Sequence, residues 1–216
     1  MTLVIRQAER ADASFLAWVM LAATRAHALR GWFDVILDRP EEECLAFLRE
    51  LAVTPTQSWW HYSRYLVAEK DGQPVAGLTA FRASDGYPLS GAALAEACAV
   101  FGWEKELPKM MERGSYIFTC TFSGGDDLWT TETVATLPAY RGQGISTALL
   151  RAALEQGRQK GFRQAQITVM IGNDSAERIY RKLGFTFEEK RSAAFEAATG
   201  VPGLRHGLCD LQNFTS

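Results

Sequence analysis

The sequence predicts an α/β fold whose mixed sheet carries helices on both faces. Three observations carry that reading. Beyond residue 129, strand-like and helix-like segments alternate, the order expected of strand–helix–strand crossovers. Asp71-Gly72 separates two alternating apolar runs, and this dipeptide supplies the positive-φ residues of a hairpin turn. With 216 residues, 47% of them apolar and 22% charged, the chain can bury one good core, so a single domain over 1–216 is expected.

Taken in order, Leu3-Val-Ile5 opens a strand over 2–6, and helices follow over about 12–29 and 41–52. Strands over 65–70 and 74–82 form the hairpin around Asp71-Gly72. Residues 83–128 then form an insertion between the third and fourth core strands. Within it, Ala92–Phe101 and Leu107–Arg113 read as helices, and Tyr116–Phe122 alternates like a strand. The insertion reads either as cover packed over the sheet or as the wall of a substrate site, where Trp59-Trp60-His61-Tyr62 could add aromatic lining. A fourth strand over 129–137 leads to a helix over 144–160 ended by Gly161, a strand over 164–170, a helix over 173–183 and a strand over 185–190. A last strand near 204–211 completes the order.

Charge and composition narrow the partners. The net charge of −2, with no basic run and no zinc-finger spacing, argues against a nucleic-acid platform. Cys44, Cys98, Cys120 and Cys209 are dispersed without a C-x-x-C pair and read as free thiols of a reducing cytosol. His27, His61 and His206 have no metal-ligand spacing, so no metal is expected. Phe15–Ala23 is apolar but too short to span a bilayer, and the N-terminus lacks the basic-then-apolar order of a signal peptide. The expectation is a cytoplasmic protein with no membrane partner; a homodimer is left open.

The most specific feature is Thr136-Leu-Pro-Ala-Tyr-Arg141-Gly-Gln-Gly144-Ile-Ser146-Thr-Ala-Leu-Leu150. It leaves a strand, passes a basic glycine-bearing turn and enters a helix, whose unpaired N–H groups and positive dipole end suit a diphosphate. The turn lacks the lysine of a Walker loop, and Thr147 stands where a dinucleotide fingerprint beginning at Gly142 needs its last glycine. Arg141, Gly144 and Ser146 match Arg/Gln-x-x-Gly-x-Gly/Ala except at the serine. This pattern resembles the acyl-CoA pyrophosphate loop of the GNAT superfamily of N-acyltransferases. Downstream, Asn173-Asp-Ser-Ala176-Glu-Arg-Ile-Tyr180-Arg-Lys-Leu-Gly184-Phe185 is similar to the signature that closes the core of that family. Asn173, Ala176 and Tyr180 share one helix face at spacings of three and four.

The resemblance implies a mostly antiparallel GNAT-like sheet and acetyl-CoA as cosubstrate. It implies that Arg141, Gly142, Gln143, Gly144, Ile145, Ser146 and Thr147 hold the pyrophosphate, with Asn173 and Tyr180 also near the cofactor. By the same resemblance, Val134, Ala135 and Thr136 lie on a strand splayed through a bulge, whose free backbone groups meet pantetheine. Tyr180 is the expected general acid toward the departing thiolate, and Glu132 resembles in placement the strand glutamate that serves some members as base. Simple alternation puts Glu132, Val134 and Thr136 on one strand face and Thr131, Thr133 and Ala135 on the other. Asp126 and Asp127 are weaker candidates for the base. The implied reaction is direct acetyl transfer to a primary amine, on a small molecule or a protein, without a ping-pong cysteine. The alternatives are a catalytically silent acyl-CoA-binding regulatory module, and an enzyme that takes a hydroxyl acceptor or a longer acyl chain.

Overall fold

A computed structural model describes residues 3–122, 125 and 127–214. Among the described residues, seven strands form one sheet: β1 (Leu3–Gln7), β2 (Tyr65–Lys70), β3 (Gln73–Arg82), β4 (Trp129–Thr136), β5 (Gln164–Met170), β6 (Thr186–Arg191) and β7 (Gly203–Asp210). Their spatial order is β1-β2-β3-β4-β5-β7-β6. Neighbours run antiparallel except for β4 and β5, which are parallel. The helices are α1 (Ala13–Arg25), α2 (Trp32–Leu37), α3 (Glu41–Leu51), α4 (Ala83–Gly86), α5 (Ser90–Phe101), α6 (Leu107–Gly114), α7 (Ile145–Gln159), α8 (Asp174–Lys182) and α9 (Ala193–Thr199). The mixed, mostly antiparallel α/β architecture matches the fold class read from the sequence.

Strand alternation sorts the core onto two faces. Tyr65 and Val67 of β2 point to one side, where α1, α2, α3, α5 and α6 contribute Leu16, Phe33, Phe47, Leu94 and Met110. Leu66 and Ala68 point to the other, against Ile145, Leu149 and Ala153 of α7 and Leu183 beyond α8. A smaller cluster joins Tyr116, Cys120, Phe195, Val201 and Leu204 beside the first face. No helix among the described residues is long and apolar enough to cross a membrane.

Several elements depart from the sequence expectation. Helix α1 ends at Arg25 because Ala26 turns to φ 51°. The chain then folds back so tightly that a Cβ on Gly31 would meet the Thr24 carbonyl carbon at 2.4 Å. The short α2 that follows was not expected, nor was α9. Residues Ser115–Thr119 form a 3-10 helix instead of a strand. The sheet position beside β5 is taken by β7, and Tyr116 and Cys120 are buried at a helical spacing of four.

Candidate active site

Strands β4 and β5 are hydrogen-bonded in register only at Trp129↔Ala165 and Thr130↔Gln166, then separate. The base of this V is tied by the Gln166 amide, which donates to Thr130 Oγ1 at 2.8 Å and lies 3.0 Å from His206 Nε2. A cleft of about 690 Å³ opens beyond it. Its walls include Glu132–Thr136 of β4, Ile167–Met170 of β5, the turn at 140–146 and one face of α8.

The pairing of β4 with β3 slips by one residue: Gly77 faces Ala135, whereas Thr79 faces Glu132. Two residues of β4 therefore oppose one of β3, the count that defines a β-bulge. Thr133 sits in it at φ 56°, a region that costs a β-branched residue strain. The bulge corrects the face assignment made from simple alternation. Gly77 and Thr79 share a face, so their partners Ala135 and Glu132 do too. Ala135 packs against the α1 side, while Val134 packs against the α7 side.

Helix α7 begins at the bottom of the turn. The Trp129 indole donates to the Ala153 carbonyl at 2.7 Å, and a Cβ at Gly157 would lie 2.4 Å from that ring, so α7 lies hard against β4. Gly142 and Gly144 have φ of 75° and 76°, and a Cβ on either would point into open space. Both line the cleft, with Arg141, Ile145 and Ser146. Among the described residues no acceptor engages the N–H groups of 142–147, as befits a turn feeding a free helix N-terminus. Arg141 Nε donates to the Thr136 carbonyl at 3.2 Å, which holds its stem over the turn. Donors, dipole and guanidinium together fit a pyrophosphate group. Gln143 and Thr147 stand outside the lining; Gln143 accepts from Lys70 Nζ at 2.7 Å.

Asn173 caps α8, its side chain accepting from the Ala176 N–H at 3.4 Å. Ala176, Ile179 and Tyr180 face the cleft together. Gly184 ends the helix at φ 94°, and the Phe185 N–H returns to the Tyr180 carbonyl at 3.2 Å. The Tyr180 ring is 6% exposed, and burial raises its phenol pKa well above the ordinary value. It therefore keeps its proton at neutral pH.

Glu132 is half-buried and lines the cleft. Burial pushes its carboxyl up to about 7, against the opposing pull of a hydrogen bond from Tyr87. Burial and the neighbouring carboxylate likewise raise Tyr87 well above its ordinary value. Thr79, across from Glu132 on β3, and Tyr65, across from Thr79 on β2, carry buried hydroxyls without a well-formed hydrogen bond. Asp127 sits at an exposed turn outside the cleft and pairs with Arg82 at 3.1 Å. Asp126 falls outside the described residues.

Of the Trp59–Tyr62 stretch, only Trp59 lines the cleft; Trp60 and His61 are buried at 3% and 4% exposure. Sequence reasoning missed Tyr87, Trp32, Tyr116 and Phe195. Tyr87 bonds Glu132 across 45 positions, and no local pattern announces such a contact. The other three line the cleft. Among the described residues no group of three or more His, Cys, Asp or Glu side chains is placed to hold a metal ion.

A splayed parallel strand pair feeding a helix start, with a half-buried carboxylate and a buried phenol lining the same cleft, makes up the candidate site. The chain belongs to the acetyltransferase (GNAT) family, whose model matches residues 26–185. It is 42% identical over 53 residues to an uncharacterised N-acetyltransferase of Methanocaldococcus jannaschii, across 24% of this chain and 23% of that protein. The curated relatives it matches are covered over only 22% to 38% of their own lengths. Its fold superposes on an N-acetyltransferase from Staphylococcus aureus Mu50 with a TM-score of 0.70 at 20% identity, covering 95% of this chain and 99% of the other. A putative acetyltransferase from Salmonella typhimurium, solved with its cofactor acetyl-CoA, aligns with a TM-score of 0.53 at 17% identity, over 100% and 98% of the two chains.

Proposed function

We propose that the protein transfers an acetyl group from acetyl-CoA directly to a primary amine, with Glu132 as general base and Tyr180 as general acid. The observation that supports this best is their placement in one cleft, which Arg141, Gly142, Gly144, Ile145 and Ser146 of the turn also line. The family is named for acetyl transfer, and the turn suits the diphosphate of CoA.

An alkylammonium with pKa ~10.4 is almost wholly protonated near neutrality and must lose a proton before it can attack. A carboxylate with a pKa of about 7 suits that task, because a base works best when its pKa lies near the operating pH. Glu132 takes the ammonium proton, the nitrogen bonds to the thioester carbonyl carbon, and the carbon–sulfur bond breaks. The Tyr180 hydroxyl gives its proton to the sulfur. The nitrogen's next proton restores Tyr180 through solvent and Glu132 gives up its proton to solvent, leaving an N-acetyl amide and the CoA thiol. Backbone N–H groups of β4 beyond Thr130, left unpaired by β5, are available to pantetheine and to the developing oxyanion.

The segment between β3 and β4 serves, in this reading, as an elaboration of one domain that reaches into the site through Tyr87. Amine-dependent release of CoA thiol from acetyl-CoA tests the proposal. A protein that binds acetyl-CoA and releases thiol with no member of a broad amine panel would instead be a silent acyl-CoA-binding module.

A further inference from the structure

We propose that the acceptor is a primary monoamine carried on an apolar, ring-bearing body; the inference rests on the amine-transfer reading above and names its substrate class. Among the described residues, Glu132 is the only carboxylate that lines the cleft. The basic side chains of the lining are Arg141, which belongs to the turn after β4 and is held on the Thr136 carbonyl, and His27, whose ring lies against Gly172 beyond the end of β5. An acceptor with a second ammonium would find no counter-charge beside Glu132, and one with a carboxylate would find no guanidinium there. Burying an unpaired charge is costly, so both are selected against.

Aromatic side chains cluster near Glu132; of these Trp59 and Trp32 line the cleft, whereas Tyr87 and Trp60 do not. Trp59 lies edge-on to Tyr87, with centroids 5.6 Å apart, and Tyr87 in turn bonds Glu132. Trp32 stacks on buried Trp60 at 5.9 Å, and Trp60 lies 4.7 Å from Trp59, so the rings form one continuous panel. Tyr116 and Phe195, edge to face at 5.4 Å, contribute further lining from the 3-10 helix and α9. The polar handles of both tryptophans are already used. Trp59 Nε1 donates to Ser90 Oγ at 3.0 Å, and Trp32 Nε1 donates to the Gly114 carbonyl at 3.1 Å. What these side chains offer a ligand is therefore ring surface, held rigid by its own hydrogen bonds, and such a surface favours an apolar or aromatic partner.

The test measures both binding and turnover. Calorimetric titration of the CoA-bound protein with phenethylamine, spermidine, agmatine and glycine is expected to show phenethylamine tightest, by about tenfold or more. Trp59→Ala should weaken phenethylamine binding by a similar factor and leave ethylamine, too short to reach the panel, within about twofold. Trp59→Phe, which keeps a ring, should retain most of the affinity and guards against misreading a folding defect. Tighter binding of spermidine, agmatine or glycine, or an equal loss for phenethylamine and ethylamine in Trp59→Ala, would overturn the proposal. Selective phenethylamine binding without thiol release would keep the ligand class of the cleft and overturn the transfer reading, and with it the ligand's role as acceptor.

Discussion

Tyr87, from the segment between β3 and β4, donates a hydrogen bond to the carboxylate of Glu132 on β4, 45 positions further along the chain. The bond opposes burial, which by itself raises the Glu132 pKa. In the proposed mechanism Tyr87 would position Glu132 and lower the pH at which the base becomes available.

Tyr87→Phe keeps the ring and removes the donor. The folded carboxyl should then titrate above its present value of about 7, so the acid limb of the kcat/KM profile should move to higher pH. At alkaline pH, where Glu132 is ionised in both proteins, the rates should converge. A limb that stays in place would separate Tyr87 from the titration.

Glu132→Gln is expected to stabilise the protein while disabling it. The folded pKa, about 7, exceeds the ordinary 4.5, so the folded protein holds this proton more tightly than the unfolded chain does. Stability from this source is fully present below the unfolded value, falls as pH rises between the two, and is lost above about 7. The variant should therefore melt higher than the wild type at alkaline pH, by an amount on the order of 1–3 kcal/mol, and the gap should close toward about pH 5. Thermal melts across that range check both the sign and the window.

Gly144→Val should weaken acetyl-CoA binding by about tenfold or more, because the new side chain occupies the space of the phosphate and cannot hold φ 76° without strain. Gly200→Val is the control. It has the same φ of 76° and open space around it, but lies outside the cleft. Calorimetry should show normal acetyl-CoA affinity for the Gly200 variant; equal losses in the two would point to strain rather than to the cradle.

The parts of the candidate site that were legible in the sequence are those whose placement is local. The turn at 141–147 is legible because Arg141, Gly142 and Gly144 stand beside a helix start, and the α8 face because Asn173, Ala176 and Tyr180 repeat at helical spacing. The bulge at Thr133 was not legible in residue type, since a β-branched residue at positive φ contradicts its own preference. Periodicity alone therefore put Glu132 on the wrong face relative to Val134 and Ala135. Tyr116–Phe122 alternates as a strand would, but no sheet edge was free beside β5, so tertiary pairing overrode the pattern. Tyr87 and the aromatic panel come together from distant segments, and a single sequence carries no sign of such pairings.

The central claim is catalysis by Glu132 and Tyr180 in one cleft. It is tested most directly by amine-dependent thiol release from acetyl-CoA by the wild type, Tyr180→Phe and Glu132→Gln, measured over roughly pH 6–9, a range chosen around the titrations of base and amine. Tyr180→Phe should lose about 10²–10⁴-fold in kcat with acetyl-CoA affinity nearly unchanged, as removal of a general acid requires. Glu132→Gln should lose the acid limb and recover part of its rate as pH rises and free amine accumulates. Wild-type rates in both variants across the whole range would contradict the account.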